Sequence, residues 1–73
     1  MAQTLGERLK AVRRRLGMSQ EELATRSGVA QEAIARVEQN KRLSLRSDEL
    51  GRIAEALDTP ADALLGIRDF KGV

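Results

Sequence analysis

No cysteine and no histidine occur in the 73 residues. Without cysteine there is neither a disulfide framework nor a thiolate metal site. Without histidine the commonest general base and the commonest metal ligand are both missing. A carboxylate or Ser/Lys arrangement is still conceivable, but no residues are spaced for one. The expectation is therefore a protein that is not an enzyme and holds no metal or cofactor. Long apolar runs are absent too, and a membrane span needs about 20 such residues. The start, Met1-Ala2-Gln3-Thr4, leads straight into a charged helical pattern and not into an apolar signal region. With the lack of cysteine this predicts a cytoplasmic chain with no membrane contact. Aromatic residues are reduced to Phe70 and proline to Pro60.

A chain of this length makes one domain, with a thin core. It has no room for a substrate-sized cleft, so function must sit on its outer surface. Net charge is only +2, but it is unevenly spread. Residues 1–20 hold Arg8, Lys10, Arg13, Arg14 and Arg15 against Glu7 alone. Residues 36–46 hold Arg36, Lys41, Arg42 and Arg46 against Glu38. Residues 47–66 reverse the balance, with Asp48, Glu49, Glu55, Asp58 and Asp62 against Arg52. This division suits a protein with one face against a polyanion; a solvated helix surface with chance clustering explains it equally well.

Apolar residues at Leu5, Leu9, Val12 and Leu16 recur at helical spacing and form one stripe. Thr4 and Glu7 make a capping box at its start, and Gly17 suits a left-handed C-terminal position. Ser19-Gln20-Glu21-Glu22 begins a second helix with another capping box, which runs to about Ser27 and stops at Gly28. It turns Leu23 and Ala24 inward. The link Gly28-Val29-Ala30 leads to a third helix, about Gln31 to Gln39, with Ile34 and Val37 inside and Asn40 as its left-handed terminator. Lys41 to Arg46 reads as a loop. Ser47 is the expected cap of a fourth helix that buries Leu50, Ile53, Ala54 and Leu57. Thr59 then caps a fifth helix, with Pro60 at its first position and Gly66 at its end. No segment alternates like a strand. The fold class is all-α: five short helices around one core in residues 1–66, followed by a tail, 67–73.

Two short helices joined by three residues with a glycine meet at a steep angle. The outer face of the second of them presents Glu32, Ala35, Arg36 and Gln39, with Gln31 at its exposed start. Glutamine can pair with adenine and arginine with guanine, while alanine leaves space or meets a thymine methyl.

The stretches LGERLKAVRRRLGMSQEELA, GVAQEAIARVEQNK and LGRIAEALDTPADALLG resemble the Cro and phage-repressor class of helix-turn-helix, the XRE-like family, over residues 5–66. The resemblance implies a lambda-repressor-like domain whose second and third helices form the helix-turn-helix. It implies a transcriptional regulator that binds double-stranded DNA, as a homodimer on a palindromic operator. Ser19 and Gln20 would lie at the phosphates, with Gln20 also bracing the recognition helix through Gln31. Gln31, Glu32, Ala33 and Arg36 would face base edges. Gln39, Asn40, Lys41 and Arg42 would follow the DNA backbone. Arg13 and Glu38 match positions that form a partly buried ion pair. Three departures stand out. Ala30 replaces a capping Ser or Thr. Glu32 is acidic in a reading position, either accepting from a cytosine amino group or simply favouring the helix dipole. The loop 41–46 is about one residue longer than the common form and lacks its proline. The competing reading is a protein-interaction module that keeps the fold and has lost base reading.

Leu64, Leu65, Ile67, Phe70 and Val73 exceed what one short helix can bury. They predict either a two-fold contact, with recognition helices about 34 Å apart, or a tail folded back on its own core. No small-molecule effector is expected.

Overall fold

Leu9, Leu23, Ile34, Val37, Ile53, Leu57 and Leu64 are sealed from solvent and drawn from every part of the chain. Burying each of these side chains contributes about 1.5–3 kcal/mol, and they are what five short helices share. The computed structural model describes residues 3–66. The elements are α1 (Leu5–Arg15), α2 (Gln20–Ser27), α3 (Gln31–Glu38), α4 (Ser47–Ala56) and α5 (Ala61–Leu65), with no strand among the described residues. None of these helices is long and apolar enough to cross a membrane.

Local signals set the helix ends. Thr4 Oγ1 accepts from the Glu7 N–H at 3.1 Å, and Glu7 Oε1 accepts from the Thr4 N–H at 2.9 Å. Both halves of the expected box are present, so two otherwise unpaired donors are satisfied. The chain reverses at Gly17, where φ is 68°. Leu16 does not join the core as its spacing predicts. It is 52% exposed because the helix ends beneath it, and Met18 enters the interior instead. Ser19 accepts from the Glu22 N–H at 3.0 Å and starts α2. Gly28, at φ 76°, ends it. Val29, placed by sequence in a link, is buried, with its N–H donating to the Ser27 hydroxyl at 3.1 Å.

Two caps differ from expectation. Ser47 is the first residue of α4 and Arg46 occupies the cap position. Glu49 supplies the local bond by accepting from the Arg46 N–H at 3.0 Å, so a serine cap is unnecessary. Thr59 does not cap α5. Its hydroxyl donates back to the Leu57 carbonyl at 3.0 Å, and Pro60 takes the cap position. The intervening Asp58 adopts φ 50°, a left-handed conformation that its short polar side chain tolerates.

α1 packs on α3 and α5, α2 on α3 and α4, and α4 on α5. α3 is therefore held between α1 and α2, with its remaining side open. Leu64 fills the core while Leu65 is 40% exposed, so only the second is free for another surface. Ile67, Phe70 and Val73, on which the tail contact was expected, lie outside the described residues.

Candidate nucleic-acid interface

α3 has eight residues, about 12 Å at 1.5 Å per residue. Ile34 and Val37 point inward, and Gln31, Glu32, Arg36 and Gln39 are exposed. Ala35 is half-buried at the edge of that face. Ala33, expected among the base-facing residues, is also half-buried and packs against the core. The open stripe thus carries two amides, one carboxylate and one guanidinium. Ala30 gives no side-chain bond to the start of α3. The first N–H groups there keep their positive end uncovered, and Glu32 sits in that turn, where a negative charge is favoured.

Arg36 Nη2 lies 4.0 Å from Glu32 Oε1, and both side chains are mostly exposed. A solvent-exposed pair of this kind is worth about 0–1 kcal/mol. Arg36 is therefore free to leave it for a better partner.

The C-terminal end of α3 is bound more firmly. Asn40 adopts φ 61° as expected, and its Oδ1 accepts from Thr4 Oγ1 at 2.7 Å. That bond ties the start of α1 to the end of α3. Gly6 of α1 lies against the same place: a Cβ built on it would stand 1.9 Å from the Val37 carbonyl oxygen. Gln39 and Lys41 are exposed beside it. Arg42, expected along the DNA backbone, donates to both carboxylate oxygens of the buried Glu49. Its charge is largely spent on closing the loop before α4. Arg46 extends into solvent, where it meets Asp48 at 3.2 Å.

At the other edge, the Ser19 oxygen is used by the α2 cap. The half-buried Gln20 was expected to bond Gln31. No such bond forms among the described residues: Gln20 Nε2 donates to Glu38 Oε1 at 3.0 Å. Glu38 is already engaged. Arg13 Nε donates to its Oε2 at 2.7 Å and Arg13 Nη2 to its Oε1 at 2.8 Å. Both residues are buried, so the ion pair expected from the resemblance is present and is more deeply buried than expected. Arg13 Nη1 also donates to the Met18 carbonyl at 2.7 Å. One guanidinium thereby joins α1, the turn before α2, and α3.

Burial alone would raise the Glu38 carboxyl. Hydrogen bonds from Arg13 and Gln20, with the charges of Arg13 and Lys10, outweigh it and hold the group below the usual carboxylate range. The bond from Glu38 in turn raises Arg13, against an opposing push from burial. Glu49 is held low chiefly by its hydrogen bond from Arg42. A lowered folded-state value means stability that is complete above the unfolded value, about 4.3 for glutamate, and lost as pH falls through the folded value. The expected melting temperature is level near neutral pH and declines in acid. Glu38→Gln should flatten part of that decline, with Glu49 and Asp48, both also held low, contributing to the rest. An acid limb unchanged in slope by Glu38→Gln would assign the pH dependence elsewhere.

Gly6, the Arg42–Glu49 closure and the Gln20–Glu38 bond were missed from sequence. Gly6 had a readable signal, since an isolated glycine inside a strong helical pattern implies a packing reason. The Gln20–Glu38 bond depends on how α2 and α3 cross, and the Arg42–Glu49 closure on the path of the loop before α4.

The helix-turn-helix family model matches residues 9–64. The HTH-type transcriptional repressor RghR of Bacillus subtilis (strain 168) is 35% identical over 63 residues, which is 86% of this chain and 47% of that protein. The chain thus spans about half the length of that relative. The P22 c2 repressor protein, crystallised in complex with synthetic operator 9T in the presence of Tl+, is 31% identical, with a TM-score of 0.79. The match covers 88% of this chain and 96% of that one.

Proposed function

This chain belongs to the XRE-type helix-turn-helix family, and from that membership we propose that it is a transcriptional regulator that binds double-stranded DNA sequence-specifically. The open face of α3 carries the reading. It is a short helix, supported on two sides, whose exposed residues Gln31, Arg36 and Gln39 can hydrogen-bond base edges. In this docking the third helix enters the major groove and the second crosses the backbone, with its N-terminal residues Ser19 and Gln20 at the phosphates. Gln39, Asn40 and Lys41 follow the strand at the other end. The similarity to a repressor crystallised on its operator supports this placement. Arg42 contributes through the loop it closes and not as a free cation.

One recognition helix covers only a few base pairs, which is too little for useful discrimination. The proposal therefore includes two copies on a palindromic site, with recognition helices about 34 Å apart. It includes action in the cytoplasm, without catalysis and without a small-molecule effector. Selection of bound sequences from a random duplex pool tests it. A preferred two-fold site, with affinity falling steeply as salt rises, is the expected result. Weak binding that is indifferent to sequence would favour the interaction-module reading, which the strongly exposed Glu32 on the reading face otherwise supports.

Arg36→Ala is the sharpest single test. It should weaken binding to the selected site by about 1–3 kcal/mol and relax preference at one base position. Stability should change little, since only a loose surface pair is lost. Equal losses on selected and random duplexes would show a phosphate contact in place of base reading.

A further inference from the structure

We propose that Glu38 is a positioning residue for DNA binding, whose carboxylate holds the Gln20 amide by its nitrogen so that the remaining N–H is available to a phosphate. This rests on the DNA-binding reading above. Gln20 is the first residue of α2 and is only half-buried. A free glutamine end can present either its oxygen or its nitrogen outward, and only the nitrogen helps at a phosphate, which accepts hydrogen bonds and gives none. A carboxylate also only accepts, so Glu38 captures nitrogen and excludes the reversed amide. The observed bond, Gln20 Nε2 to Glu38 Oε1 at 3.0 Å, is of that kind.

A lone carboxylate beside a DNA strand would repel it. Arg13 removes that objection by pairing with Glu38 through two bonds, and Lys10 adds positive charge nearby. Glu38 Oε1 accepts from Arg13 Nη2 and from Gln20, while Oε2 accepts from Arg13 Nε. Three N–H donors converge on two oxygens. A glutamine at 38 has one oxygen and an N–H₂ that only donates, so it sets a donor against either Arg13 Nε or the site shared by Arg13 Nη2 and Gln20, and it cannot satisfy all three donors. The buried pair therefore links the interior to the orientation of a group at the DNA-facing edge.

The test is a double-mutant cycle on the full chain with a duplex selected by the wild type. Glu38→Gln, Gln20→Met and the double variant are measured well below their melting temperatures. Ile53→Val, a core change away from Glu38, serves as a stability control. Glu38→Gln and Gln20→Met should each weaken binding about tenfold. The double variant should bind no worse than the weaker single, and Ile53→Val should bind as wild type. Additive losses, or a Glu38→Gln protein that binds like the control, would overturn the proposal. If Glu38→Gln does not fold, the wild-type side-chain amide signals of Gln20 decide: slowed solvent exchange supports the bond, and exchange like that of an exposed glutamine overturns it. A wild type that binds no duplex at low salt overturns the DNA reading and the proposal with it. A wild type that binds without coupling between the two positions overturns the proposal alone.

Discussion

Glu38→Ala is expected to destabilise the folded chain by about 3–5 kcal/mol, the usual consequence of removing one partner of a buried ion pair. Arg13 would keep its bond to the Met18 carbonyl but lose both bonds to carboxylate, and its guanidinium is buried. A desolvated charge would then lack its counter-ion, and the bond from Gln20 would lose its acceptor. For a domain of this size the total stability is about 4–10 kcal/mol, on the usual scale per residue. The variant should therefore lose a large part of that margin and melt well below the wild type. Glu32→Ala is the internal comparison. Glu32 is strongly exposed and its partner stands 4.0 Å away, so the loss should stay below about 1 kcal/mol, most of it the helix-dipole contribution. Thermal melts of the two variants side by side decide the matter; similar midpoints would mean that the buried pair contributes no more than a surface one.

Gly6→Ala should be nearly as damaging, against the ordinary direction of a glycine-to-alanine change. In a helix interior that change normally stabilises by about 1 kcal/mol. At Gly6 the added methyl would stand 1.9 Å from the Val37 carbonyl oxygen and 2.8 Å from its carbon. These are backbone atoms of α3 and cannot rotate away. α1 and α3 must part, which costs about 1–3 kcal/mol or more on the scale of overpacked cores. The shift would also disturb the bond from Thr4 to Asn40 at the end of α3, so DNA affinity should fall along with stability. Gly51 provides the contrast. It lies inside α4, and a Cβ there meets nothing within 4 Å. Gly51→Ala should stabilise by about 0.5–1 kcal/mol. Denaturant midpoints moving in opposite directions are the expected result, and a neutral or stabilising Gly6→Ala would show that the helices separate freely.

Much of this was legible in the chain because capping and periodicity are local. Thr4 with Glu7, Ser19, Gly17, Gly28, Asn40 and Gly66 each carry their instruction within a few residues, and each occupies its expected end of a helix. The errors came where a second element intervened. Leu16 fits the stripe of α1 yet is exposed, since Met18 reaches the core from the next turn. Ser47 and Thr59 are good capping residues by type, but Glu49 and Pro60 occupy the geometry they would need.

The site divides in the same way. The open stripe Gln31, Glu32, Arg36 and Gln39 followed from helical spacing alone, since the inward positions of a short amphipathic helix name its outward ones. Ala33 lies at the margin, where the width of the buried face depends on what packs against it. Arg42 and Gln20 are polar side chains with several possible partners at similar sequence cost. The path of the loop into α4 selected Glu49 for one, and the crossing of α2 and α3 selected Glu38 for the other. Sequence by itself determined the five helices, the caps of the first two and which side of α3 stays polar, because those depend on contacts within a turn. Tertiary structure decided which charges are spent inside, which glycine must remain glycine and how the amide at the start of α2 is held. Those outcomes depend on distances between segments far apart in the chain.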